Sequence, residues 1–223
     1  MTGFPFQIVG FDLDGTLLDT HADLGHAVNH ALALAGRPLR PIGAMRNLIG
    51  GGAKRMLLRA LEEDGVTLPD EDFARIYAEL LAFYEANIAV HTCLFPGGEA
   101  MLDGLAAHGV QIAVVTNKFE HLARRVLDDL GLSPRFYTII GGDTLGPGKA
   151  KPAPDLLHEM MARSAGGRAA FIGDTTYDTE AARAAGLPCV AVSFGFNNVP
   201  MDQLGADAII DHYDELIPVL SSL

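Results

Sequence analysis

Phe11–Thr20 reads FDLDGTLLDT. It ends a short apolar run that begins at Phe6, rich in aromatic and β-branched residues, and that run reads as a first strand over 6–11. Asp12 and Asp14 stand one residue apart where the strand stops, and Asp19 follows within the same stretch. Carboxylates this close repel one another, and the chain already carries a formal charge of -12. The stretch therefore calls for a partner of opposite charge, and the rest of the sequence has to supply it.

Immediately downstream the period changes. THAD, Thr20–Asp23, has the form of a capping box with Thr20 as N-cap. Leu24, Ala27, Val28, Ala31, Leu32 and Ala35 follow at helical spacing, and Gly36 ends the helix. A second helix follows Gly50–Gly52 with Met56, Leu57, Ala60 and Leu61. A third starts near Asp70 and carries Phe73, Ile76, Tyr77, Leu80, Leu81 and Tyr84, read as packing positions. Residues 20–90 thus read as helical without a strand. After FPGG, Phe95–Gly98, helices alternate with strands: VQIAVVT, YTIIGG, AAFIG, PCVAV and DAIID, with a helix closing the chain. That alternation predicts an α/β fold, a doubly wound parallel sheet covered on both faces. Because the first strand belongs to the sheet, the helices are an insertion after it: core over 1–18 and 92–223, α-helical cap over 19–91, connected near 17–21 and 88–96.

Composition narrows the class. The 223 residues are 49% hydrophobic, enough for a packed core. The acidic balance argues against nucleic acid and against an anionic membrane surface. No apolar run reaches the roughly 20 residues that span a bilayer. Cys93 and Cys189 show no metal-ligand spacing and read as buried thiols of a reducing compartment, with the cytoplasm expected. Between Asp23 and Glu62 no acidic residue occurs, while Arg37, Arg40, Arg46, Lys54, Arg55 and Arg59 do. Most of these read as a solvated face; Arg46 and Lys54 flank the glycine run and are candidate partners for an anionic ligand. Gly50–Gly52 form either the turn before a helix or a set of N–H groups for a substrate carboxylate.

In a parallel sheet, ligands bind beyond the carboxyl ends of the strands. The polar residues fall there: Asp12 and Asp14, then Thr116, Asn117 and Lys118, then Asp143, Lys149 and Lys151, then Asp174 and Asp178. Several carboxylates with a hydroxyl, an amide and a lysine, and no His or Cys among them, suit a hard cation, Mg²⁺, and phosphoryl transfer. A carboxylate can attack as nucleophile and a second can move the proton. Lys118 and Lys149 read as solvated, Asp143 as a strand terminator, and Asp19 as a hinge residue.

DLDGTLLD (Asp12–Asp19), VVTNK (ending at Lys118), KPAPD (from Lys151) and GDTTYD (from Gly173) resemble, in order and separation, the four signature motifs of the haloacid dehalogenase-like hydrolases. GGGAKRMLLRAL, FPGGEAMLDGL and IIGGDTLGPGKAKPAPDLL are most similar to the phosphoglycolate phosphatase-like group. The resemblance covers almost the whole chain. It implies a Rossmann-like core and a Mg²⁺-dependent phosphatase acting on a small phosphorylated metabolite, 2-phosphoglycolate first, as a monomer or homodimer. It implies Asp12 as nucleophile and metal ligand, and Asp14 as acid/base with its carbonyl on the metal. Thr116 and Asn117 would hold the phosphoryl group, and Lys151 would orient Asp12. Asp174 and Asp178 would serve the metal site, and Gly51 and Lys54 would meet the substrate.

Tyr177, where relatives often carry asparagine, His21 and Lys54 depart from the pattern near the parts that choose a substrate. Other phosphate metabolites (sugar phosphates, nucleotides, pyrophosphate) are the alternative substrates. Asp14 speaks against dehalogenase and phosphonatase chemistry, and Thr16 leans towards hydrolysis rather than mutase transfer. A non-enzymatic phospho-switch of the receiver type is the rival from another class, but a receiver has no need of the long helical insert.

Overall fold

Strand β1 (Ile8–Phe11) lies at the centre of a sheet in the computed structural model, which describes residues 3–49 and 51–223. The chain continues through β2 (Leu18–Asp19), helix α1 (His21–Leu34), a 3-10 segment (Ile42–Leu48), α2 (Ala53–Glu63) and α3 (Asp70–Ala86). It returns by β3 (Cys93–Leu94) and then alternates: α4 (Gly98–Ala107), β4 (Gln111–Val115), α5 (Glu120–Asp129), β5 (Thr138–Ile140) and α6 (Asp155–Ala162). The last elements are β6 (Ala169–Gly173), α7 (Thr176–Ala184), β7 (Cys189–Val192), β8 (Ala208–Ile210) and α8 (Leu216–Ser222).

The six-stranded sheet has the order β5-β4-β1-β6-β7-β8, and every pairing in it is parallel. The chain moves out from β1 in one direction through β4 and β5 and in the other through β6, β7 and β8. Strand order therefore reverses at β1, and a crevice opens beyond its carboxyl end. The period-2 pattern sorts side chains to two faces. Val9, Phe11, Ile112, Val114 and Ile172 join one apolar cluster with α4, α5 and α8. Ile8, Ala113, Val115 and Phe171 join the other with α6 and α7. The first cluster runs on into α1, α2 and α3 through Leu24, Val28, Met56, Ile76 and Leu80. The predicted doubly wound parallel sheet is the fold observed.

Among the described residues of 20–90 there is no strand, as expected. The stretch is bounded by a two-stranded antiparallel ribbon, with Leu18 opposite Leu94 and Asp19 opposite Cys93; two-residue strands are too short to show a period. Two local expectations are corrected. Thr20 does not cap α1 with its side chain. Asp23 instead turns across the ribbon and accepts the backbone N–H of His91 (2.9 Å) and Thr92 (2.9 Å) and the Thr92 hydroxyl (2.7 Å). A long-range set of donors outcompetes the local cap. Cys189 is buried, as expected, but Cys93 is exposed because it sits on the ribbon; both are free thiols.

The basic run is mostly paired rather than solvated. Arg40 bonds Glu63, Asp64 and the Ala60 carbonyl, and Arg37 reaches Asp64, so the end of α2 neutralises both. Among the described residues no helix is long and apolar enough to cross a membrane.

Candidate active site

The parallel register brings the strand ends together. Asp12 follows β1, and its N–H is held by the Ile172 carbonyl of β6 at 2.9 Å. Thr116 follows β4 and is anchored to the Ile140 carbonyl of β5 at 3.0 Å. Asp174 follows β6, and Asp178 lies in the first turn of α7, where Thr175 and Asp178 form a capping box. Gly15, at φ 88, carries the chain past the acidic cluster; a Cβ there would run into the Asp174 carboxylate, so the turn requires glycine.

Asp12, Asp174 and Asp178 are buried and each offers an oxygen within 4.8 Å of the others. Lys151 Nζ sits among them, 2.6 Å from Asp178 Oδ1 and 2.9 Å from Asp12 Oδ1. The contact to Asp12 is close but not aligned as a hydrogen bond, so Asp12 Oδ1 stays a buried acceptor without a donor. Burial raises the Asp12 carboxyl to about 6; Lys151 pulls it down, and Asp178 and Asp14 push it up. Burial, then Asp178 and Asp12, hold Asp174 well above the usual carboxylate range. Lys151 is raised: burial works against its charge, but Asp12 and Asp178 outweigh it.

Three carboxylates face one ammonium, an oxygen-only donor set with negative charge in excess. That is the environment of a hard divalent cation, and three buried carboxylates against one ammonium fit one. Asp178 is less available than its place in the cluster implies. Its Oδ2 accepts the Thr175 hydroxyl (2.7 Å) and N–H (3.0 Å), and its Oδ1 holds Lys151. Asp174 accepts the Thr16 hydroxyl (3.0 Å) and the Phe196 N–H (2.6 Å).

A cavity of about 260 Å³ lies above this cluster. Asp12, Asp14, Thr116, Asn117 and Lys151 line its floor, and Gly51, Lys54, Met56, Tyr77 and Tyr84 its roof. Apart from Arg46, all the sequence-predicted site residues that are described border one space. They are not equally free. Asn117 spends its Nδ2 on the Lys151 carbonyl at 2.9 Å, tying two loops together. Lys54 is exposed at the rim, with its ammonium 5.9 Å above the Phe73 ring. Gly51, at φ 75, sits where a Cβ would come within 3.0 Å of the Tyr177 hydroxyl. Gly50 lies outside the described residues. Arg46 reaches across to the Phe194 carbonyl (2.9 Å) and to Asp19 (3.5 Å), tying the 3-10 segment to the loop after β7. Lys149 pairs at the surface with Asp155, and Asp143 accepts the N–H that opens α5 (2.8 Å).

Two residues were underrated by sequence. Lys118, read as solvated, is buried, and its Nζ bonds both oxygens of Asp14, at 2.9 and 2.7 Å. Burial works against its charge, yet Asp14 and Tyr84 leave it raised. Tyr84, read as packing, does pack in α3, but it also lines the cavity, and the Lys118 ammonium lies 4.6 Å from its ring centroid. No spacing rule links residues 84 and 118. The one available signal was a lysine two residues beyond the β4 threonine, at a strand end where the other polar residues were read as functional.

The comparisons agree with this geometry. The family model for haloacid dehalogenase-like hydrolases matches residues 6–186. A phosphoglycolate phosphatase of Agrobacterium fabrum is 38% identical over 225 residues, covering 99% of this chain and 95% of its own. One from Pseudomonas putida is 37% identical, covering 95% of this chain and 79% of its own. A crystal structure described as a predicted phosphoglycolate phosphatase from Haemophilus somnus superposes with a TM-score of 0.88 at 28% identity, over 96% of this chain and 97% of that one. The chain belongs to the haloacid dehalogenase-like hydrolase family. Within it, the chain falls in the phosphoglycolate phosphatase-like group and is a phosphoric monoester hydrolase.

Proposed function

We propose that this chain is a Mg²⁺-dependent phosphatase that hydrolyses 2-phosphoglycolate through an aspartyl-phosphate on Asp12. The observation that carries the reading is Asp12 itself. It is a buried carboxylate paired with the Lys151 ammonium and set among two further acids at the floor of a cavity. The named substrate is supported by the Agrobacterium and Pseudomonas relatives.

A carboxylate oxygen of Asp12 attacks phosphorus, and the bond from phosphorus to the leaving alcohol breaks. Asp14 gives that alcohol its proton. A water then attacks the aspartyl-phosphate, Asp14 takes the water's proton, and the bond between Asp12 and phosphorus breaks to release phosphate. Lys151 orients Asp12 and offsets charge on the phosphoryl oxygens, and the Thr116 hydroxyl donates to one of them. Asp12, Asp174 and the Asp14 carbonyl would hold Mg²⁺, which would supply the neutralising charge. Asp178 supports the site by accepting from Lys151 and from the N–H groups of Asp174 and Thr175. Residues 1–18 and 92–223 form the hydrolase core, and 19–91 a cap whose Gly51 and Lys54 meet the substrate at the mouth. The cap excludes water from the leaving-group side. The two free thiols support the cytoplasm as the compartment.

The test is kcat/KM for the purified chain across phosphate monoesters with Mg²⁺. 2-Phosphoglycolate should lead the panel. A sugar phosphate or nucleotide in first place would overturn the substrate, and no turnover of any member would overturn the phosphatase.

A further inference from the structure

The leaving-group side of the cavity holds a contradiction. Asp14 must carry a proton to the departing oxygen, yet both its oxygens accept from Lys118 Nζ. An ammonium has three donors and no acceptor. To reach the departing oxygen, Asp14 must give up at least one of these two bonds. Lys118 then needs another acceptor, because its side chain is only 6% exposed. Leu24, Met56, Tyr84 and Leu122 line the same cavity and offer no anion.

The second observation is the Tyr84 hydroxyl. It is buried, with the residue 2% exposed, and has no hydrogen-bond partner. Buried hydroxyls are almost always paired. An unpaired one at a cavity wall, on the ring over which an ammonium rests, marks a place that a polar ligand group completes.

We propose that Lys118 and Tyr84 form the subsite for an anionic group, a carboxylate, on the leaving alcohol, and that this carboxylate frees Asp14 by taking its place on Lys118. The proposal rests on the phosphatase reading and deepens it. Before substrate binds, Lys118 holds Asp14. When a carboxylate-bearing phosphomonoester enters, its phosphoryl group seats on the floor, and its carboxylate accepts from Lys118 Nζ and the Tyr84 hydroxyl. Asp14 is released towards the bridging oxygen. A substrate without the carboxylate leaves the clamp closed. Selection therefore acts on the proton-transfer step as well as on binding. Tyr84 comes from α3 and Lys118 from the loop after β4, so the subsite is complete only when the helices lie over the sheet edge.

The experiment compares 2-phosphoglycolate with ethyl phosphate, which has the same phosphoester and no carboxylate. The readout is the ratio of their kcat/KM values. Lys118→Met should lower that ratio by about 10- to 100-fold, the loss of a hydrogen bond to a charged group. Tyr84→Phe, which keeps the packing, should lower it by about 3- to 10-fold. Lys118→Arg should recover part of the loss, and Lys54→Met should lower the ratio less than Lys118→Met. An equal fall on both substrates in Lys118→Met makes Lys118 merely structural and overturns the subsite. So does a larger carboxylate-specific loss in Lys54→Met. If the wild-type chain turns over neither ester, the phosphatase reading fails separately, and calorimetric binding of 2-phosphoglycolate decides the subsite. Weaker binding by Lys118→Met supports it, and unchanged binding overturns it.

Discussion

The two halves of the cavity are built by different means. On the attacking side, Asp12, Lys151, Asp174 and Asp178 come from the ends of adjoining sheet elements and are buried and interlocked through hydrogen bonds as short as 2.6 Å. On the leaving side, Asp14 and Lys118 pair beneath a roof contributed by α1, α2 and α3. The first half is prearranged by a parallel sheet whose register fixes every strand end relative to its neighbour. The second depends on how helices far away in sequence lie over that edge. On the proposed mechanism, chemistry common to many substrates would sit on the first half, and discrimination would sit where one wall is supplied by packing.

The largest effect should come from breaking the rigid half at its reacting atom. Asp12→Asn removes the nucleophile and should lower kcat by at least about 10³-fold, read by steady-state hydrolysis of 2-phosphoglycolate. Chelation with EDTA should cost at least about 100-fold and be reversed by added Mg²⁺; full activity in chelator would leave the acidic cluster without its counter-charge and refute the metal. Lys151→Met leaves Asp12 and Asp178 facing each other without the ammonium. Unfolding of the metal-free chain in denaturant should show a loss of about 3–5 kcal/mol, because Asp12 and Asp178 have lost the ammonium they share. A loss confined to activity would mean that the attacking side is less interlocked than its contacts indicate.

The smallest effect sharpens the contrast from the other half. Asp23→Asn weakens the bonds from α1 to His91 and Thr92 and should cost about 1.5–3 kcal/mol. Its kinetic signature should fall on the ratio of 2-phosphoglycolate to ethyl phosphate, since only the roof is disturbed. An equal loss on both esters would place the effect in the sheet.

The legible parts of the molecule follow the same division. The sheet was readable because its strands are short apolar runs punctuated by Asp, Asn and Gly, and because topology alone sends their carboxyl ends to one edge. Asp12, Asp14, Thr116, Lys151, Asp174 and Asp178 could all be placed on that ground. Lys118 could not, because a lysine after a strand is solvated or buried according to what covers it, and the cover is Tyr84, set by the packing of α3. Asp23 failed for the same reason: Thr-x-x-Asp is a sound local cap, but the N–H groups of His91 and Thr92, distant in sequence, made the better offer. Asn117 was placed correctly at the edge, while its amide went to the Lys151 carbonyl, a loop-to-loop bond that no strand pattern encodes.

The ribbon of Leu18–Asp19 against Cys93–Leu94 has a consequence for how such a molecule can diversify. The helices leave the sheet and come back to it side by side, across a single pair of strands about 5 Å apart. Anything that begins and ends at that spacing can be spliced in without moving a strand of the sheet. The roof is thus an exchangeable cassette on a fixed chassis, and a new leaving group can be accommodated by swapping one module while the attacking carboxylate keeps its seat.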